Sequence, residues 1–150
     1  MNKKIFYTIM FLFATLSVYS QKSVNRLFDE YVGAKDASKV RIGKAAMKIS
    51  SLFTDTYGAE VIEVISLDEA ADDVKQRFAN AVKALKDADY ETLVTSNADG
   101  NSIKIMLRIE KDVIRELVVL SAGKDAALIR IKGKIQKSDI AKIINKGYAK

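Results

Sequence analysis

Residues 101 to 135 hold three consecutive runs with a period of two, and that stretch restricts the chain more than any other. In the first run Ile103, Ile105, Leu107 and Ile109 alternate with Lys104, Met106, Arg108 and Glu110. In the last, Ile129, Ile131 and Ile135 oppose Leu128, Arg130, Lys132 and Lys134. Successive side chains of a strand point to opposite faces, so each run predicts a strand with an apolar and a charged side. The connections at Lys111-Asp112 and Gly123-Lys124-Asp125 are too short for a crossover, which makes the arrangement an antiparallel meander. Between them Leu117-Val118-Val119-Leu120 is apolar in both phases, so this middle strand has to be covered at least partly on its second side.

The flanking segments add further elements. Tyr90 to Ser96 reads as a strand leading into the Asp99-Gly100 pair, a tight-hairpin signal. Ala59 to Leu67 is dense in β-branched residues and apolar on both faces, and Lys39 to Ile42 is a brief alternating segment with Val40 and Ile42 on one side. Helical periodicity appears in Val24, Leu27, Phe28 and Tyr31, ending near Gly33, and again in Ala46, Ile49 and Phe53, with Met47 close to that stripe as core filler. It recurs in Val74, Phe78, Ala81, Val82 and Leu85, with Asp68 placed as an N-cap and Asp72 and Asp73 in the first turn. Ser138 is placed to cap a last helix whose inner edge is Ile140, Ile143 and Ile144.

The expected fold is α+β: a single mostly antiparallel sheet of about five to six strands with helices packed on one face. The helices over 44–57 and 69–86 are expected against the apolar face. If the Val40 segment joins the sheet beside Val61, the helix between them makes a right-handed crossover and the sheet is mixed.

Composition removes several chemistries. The chain has 150 residues, enough for one domain, and no Cys, His, Trp or Pro. There is thus no disulfide framework, no thiolate or imidazole metal ligand, and no imidazole to activate a nucleophile. Ser50, Ser51, Ser96 and Ser102 lie outside any Gly-x-Ser-x-Gly pattern. Asp72 and Asp73 lack the spacing of a calcium loop. The expectation is no cofactor, no metal and no catalytic residue.

The amino terminus reads as a secretory signal. Lys3 and Lys4 precede an apolar run from Ile5 to Leu16, and Val18-Tyr19-Ser20 has the form of a cleavage site, so release is expected between Ser20 and Gln21, leaving one domain over 21–150. The run is well short of the roughly 20 residues needed to span a bilayer, so membrane contact is expected only through an uncleaved signal. Removing residues 1 to 20 leaves 25 − 2 = 23 basic against 19 acidic residues, a net +4. Residues 124–150 are strongly basic and 55–99 strongly acidic, which in a folded chain is first of all mutual neutralisation.

Several stretches resemble one family in wording and order: Ser38-Lys39-Val40-Arg41-Ile42-Gly43-Lys44, Tyr90-Glu91-Thr92-Leu93, the Asp99-Gly100 hairpin, Ile114 to Leu120, and Ile129 to Ile135 with Asp139-Ile140 after it. Together with the signal they resemble the exported bacterial family known as domain of unknown function 4252, over nearly all of residues 21 to 145. The resemblance implies a small cell-envelope protein of a Gram-negative bacterium with no established reaction, and it carries over no functional residue. Some relatives have a lipoprotein cysteine at the cleavage point, which this chain lacks.

Two classes of function remain. A non-enzymatic envelope binding or interaction module would use Lys104, Arg108, Arg130, Lys132 and Lys134 on the charged sheet face to meet an anionic envelope polymer or an acidic protein, against the plainer reading of an ordinary solvated face. Sensing or regulation by protein contact in the periplasm is a variant of it. A carboxylate-based hydrolase would have to draw on Glu60, Glu63, Asp68 or Glu91, which nothing in the sequence pairs. Nucleic acid is not expected as a partner, because the charged face offers Met106 where base-stacking aromatics would be needed.

Overall fold

The computed structural model describes residues 23–50, 55–98 and 100–148. The signal with Ser20 and Gln21, the Leu52-Phe53 part of the expected second helix, and Asp99 lie outside them. The chain runs α1 (Val24–Val32), β1 (Ser38–Ile42), α2 (Lys44–Ser50), β2 (Ala59–Ser66), α3 (Asp72–Ala84), β3 (Glu91–Ala98), β4 (Asn101–Glu110), β5 (Val113–Gly123), β6 (Ala127–Ile135), a 3₁₀ turn (Lys137–Asp139) and α4 (Ile140–Tyr148).

All six strands form one sheet in the order β1-β2-β6-β5-β4-β3. The fold is α+β, and every neighbouring pair is antiparallel. The expectation of a crossover is corrected here: Val40 pairs with Val64 and Ile42 with Ile62, antiparallel, so α2 lies in a connection that returns the chain to the adjacent strand and the sheet is not mixed. Lys111 and Asp112, at φ 51° and 63°, make the two-residue turn that matches strand twist between β4 and β5.

Both faces of the sheet carry apolar clusters. Val24, Leu27, Phe28 and Tyr31 of α1 and Val74, Phe78, Ala81 and Val82 of α3 pack with Ile65, Met106, Val118, Leu120 and Leu128. On the opposite face Ile105, Leu107, Leu117, Val119 and Ile135 gather with Ile140, Ile143 and Ile144 of α4. Helices α1 and α3 share one face of the sheet, and the expectation for α3 is corrected: it lies on the face of Met106, not on the isoleucine face. Tyr31 and Phe78 meet edge to face with centroids 5.0 Å apart, which fastens α1 to α3.

Two caps differ from expectation. Helix α3 starts one turn late: Leu67 and Ala70 are buried in a turn closed by Ala70 N–H to Leu67 C=O, so Asp68 precedes the helix and the N-cap is Ala71, with Asp72 and Asp73 in the first turn as predicted. Ser138 sits inside the 3₁₀ turn, whose N-cap is Gln136.

Candidate functional site: a basic end of the sheet

Where α1 and α3 leave the sheet, the Met106 face turns from apolar to charged. Its centre is Glu116 on β5, the one buried charged residue among those described, at 3% exposure. Strand pairing sets Glu116 opposite Arg108 on β4 and opposite Lys132 on β6. Arg108 Nε donates to Glu116 Oε2 at 3.1 Å, and Lys132 Nζ lies 3.6 Å from Oε1. The hydroxyl of Tyr90, from the segment before β3, donates to Oε2 as well.

A second carboxylate repeats the pattern one strand pair away. Glu63 on β2 faces Arg130 on β6 and Arg41 on β1. Arg130 donates to Glu63 Oε1 at 2.9 Å, while Lys39 Nζ and Arg41 Nε stand 3.9 Å from Oε2. The Arg130 guanidinium also lies over the Phe28 ring, 4.3 Å from its centroid, and donates to Asn25 at 2.8 Å, so it ties α1 to the sheet.

These contacts set the protonation states. Burial by itself would raise the Glu116 pKa, but the hydrogen bonds from Tyr90 and Arg108 and the charge of Lys132 outweigh it, and the carboxyl is held below its usual range. Burial first, and the bond to Glu116 second, push the Tyr90 hydroxyl well above its ordinary value. The hydrogen bond to Glu116 raises Arg108 further. The proton therefore stays on Tyr90 and the charge on Glu116.

Of the five cations expected to act together, Arg108 and Lys132 lie against Glu116, and Arg130 lies against Glu63 on the same sheet face. Lys134 is exposed, two positions beyond Lys132 on β6. Lys104 does not join them: its Nζ reaches the Leu85 carbonyl at 3.4 Å, where it complements the carboxyl end of α3. The face is not solvated throughout: the Arg130 side chain is only 11% exposed and Glu116 is buried. Lys39 and Arg41 were missed, although the alternation that points Val40 and Ile42 one way points these two the other. Glu116 was visible only as a charge inside an otherwise apolar strand.

The hydrolase candidates do not converge. Glu60 pairs with Lys44 at 3.8 Å, Glu63 is held by cations, and Asp68 lies in a turn where its N–H donates to Ser66 Oγ. Among the described residues no group of three or more carboxylates is arranged to hold a metal ion, and no helix is long and apolar enough to cross a membrane. A cleft of about 470 Å³ lies elsewhere, between α3 and the β3–β4 hairpin, lined by Gln76, Lys83, Asn97 and Asn101.

Residues 31–143, from the end of α1 to the second turn of α4, match the domain of unknown function DUF4252. The chain belongs to this DUF4252 family. The matched span contains the whole sheet with Glu63 and Glu116, while most of α1 precedes it. No curated protein and no solved structure matches the chain.

Proposed function

We propose that this DUF4252 protein is a non-enzymatic cell-envelope interaction module whose basic sheet end meets an anionic envelope polymer or an acidic protein. The observation that carries the proposal is the paired-glutamate platform. Lys39, Arg41, Arg108, Arg130 and Lys132 outnumber Glu63, Glu110 and Glu116 by 5 − 3 = 2 charges on one sheet face. The carboxylates of Glu63 and Glu116 orient the inner ends of the cluster, whereas the side chains of Lys39, Arg41 and Lys132 remain 44%, 62% and 49% exposed. Contacts at 3.6 to 3.9 Å leave these outer cations with unused donors, so phosphate or carboxylate groups of a ligand can recruit them at small desolvation cost. Export by the amino-terminal signal belongs to the same proposal and is supported by Lys3, Lys4 and the apolar run after them.

The test is an NMR titration of the protein with lipopolysaccharide fragments and, in parallel, an acidic peptide. Amide shifts at 39–41 and 130–134 that shrink with added salt are expected. Replacing Lys39 and Arg41 by Glu should weaken binding roughly tenfold or more, at about 1 kcal/mol for each basic residue near an anionic surface. Unmoved amides in both titrations would remove the reading.

A further inference from the structure

The two edges of the sheet are built differently. Strand β1 ends one side; it is five residues long and carries Lys39 and Arg41, two charges that discourage pairing with another chain. Strand β3 ends the other side with eight residues, and the six from Thr92 to Asn97 carry no charge. Thr92, Val94 and Thr95 are β-branched, there is no proline, and Leu93 and Val94 are 48% and 37% exposed. Residues 91 to 97 are all exposed. The protective device present is a bulge between Thr92 and Val94, which leaves the run from Val94 to Ala98 regularly paired with Ile105 to Asn101 and its outer backbone edge turned away from the sheet. A long uncharged edge of this kind is a template for one more antiparallel strand.

Charge selects the occupant. The full chain carries net +6, so two copies repel overall, and a contact free of charge adds least to that repulsion. Edge-to-edge contact through β1 would set lysine and arginine against their own copies, whereas contact through β3 would not. Within Val94–Ala98 the faces are fixed by the partners: Val94 shares a face with Ile105, and Thr95 and Asn97 with Lys104 and Ser102. An antiparallel twofold that keeps these faces matched sets Val94 opposite Ser96 or Ala98, so within 94–98 no side chain meets a like charge.

We propose that β3 is a self-association edge, through which a second copy of this chain pairs antiparallel and extends the sheet across a twofold axis. The contact rests on backbone hydrogen bonds and a few small side chains, so the dimer is weak and concentration-dependent. It is independent of the anion-binding reading, because it uses the opposite edge and no charged group.

Sedimentation velocity over a concentration series tests it, with hydrogen exchange of the β3 amides on dilute and concentrated samples. The expected result is a monomer–dimer equilibrium little affected by salt, with β3 protection rising with concentration. Ser96→Lys, at an exposed position, should weaken it roughly tenfold or more by placing like charges together while leaving the circular dichroism unchanged. A monomer at every concentration would overturn the proposal. So would a dimer that Ser96→Lys leaves intact, or one that dissolves in salt or loses its affinity on replacement of Lys39 and Arg41.

Discussion

The phenol of Tyr90 donates its hydrogen to Glu116 Oε2, the oxygen that Arg108 Nε reaches at 3.1 Å. One carboxylate thereby joins the segment before β3 to the middle of the sheet. A hydrogen bond to a charged group contributes about 1.5–3 kcal/mol. Tyr90→Phe is expected to lower stability by about that amount, read as a lower urea midpoint at unchanged slope. Glu116→Gln should also destabilise, because Arg108 and Lys132 then repel each other without their shared anion. The double variant should lose less than the sum, since both changes remove the same bond. Strict additivity would show that the two side chains act separately.

Acid and alkali should act on this cluster with opposite signs. Glu116 has a lowered pKa in the folded chain, so below its ordinary value of 4.5 the unfolded chain binds more protons and stability falls with pH. Tyr90 and Tyr31 are raised above 10.0, so beyond that pH the unfolded chain loses protons first and stability falls again. Tyr90→Phe should flatten both limbs of a stability–pH profile from urea melts taken across the range. An acid limb unchanged in that variant would dissociate Glu116 from Tyr90.

Gly58 and Gly133 sit where two backbones nearly touch. Gly58 has φ +87°, and a Cβ there would come within 2.1 Å of the Lys134 carbonyl oxygen; at Gly133 it would lie 2.2 Å from the Gly58 carbonyl oxygen. Neither obstacle is a side chain that can swing away. Gly58→Ala is expected to lose at least about 2 kcal/mol from strain and overlap together. Gly33→Ala, with open space around it, should stay within about 0.5 kcal/mol. Equal thermal melts for the two variants would contradict the geometry.

Arg130 holds α1 by stacking on Phe28 and by its bond to Asn25. Lysine keeps the charge but not the planar fork, so Arg130→Lys should weaken this hold by about 1–2 kcal/mol. Exchange protection should fall first in α1, before the sheet. Phe28→Ala, which empties a fully buried site, should cost about 3–5 kcal/mol and affect the whole molecule.

Much of the sheet was legible because alternation survives in any context: the strands over 101–135, the Lys111-Asp112 turn and the double-sided apolar strand β5 follow from local pattern alone. The choice of covered face did not. Ile103 to Ile109 form the more apolar side of β4, yet α1 and α3 pack on Met106, since β5 and β6 offer Val118, Leu120 and Leu128 there. Face selection depends on which strands are neighbours, and neighbours are set by chain path. The same reason hid the candidate site. Lys39 and Arg41 lie about ninety positions from Arg130 and Lys132 along the chain, and only the antiparallel pairing of β1 with β2 and of β2 with β6 puts them beside one another. Glu116 could be seen as an odd charge in a greasy strand, but its partners could not be named.

Asn25 and Arg130 are 105 positions apart, and α1 fills its place over the sheet with Leu27 and Phe28 fully packed. Helix α1, the earliest element among the described residues, must therefore wait, with its greasy side unshielded, until nearly the final strand has arrived. A protein wired in this way closes slowly and all at once, and it benefits from an escort during that interval.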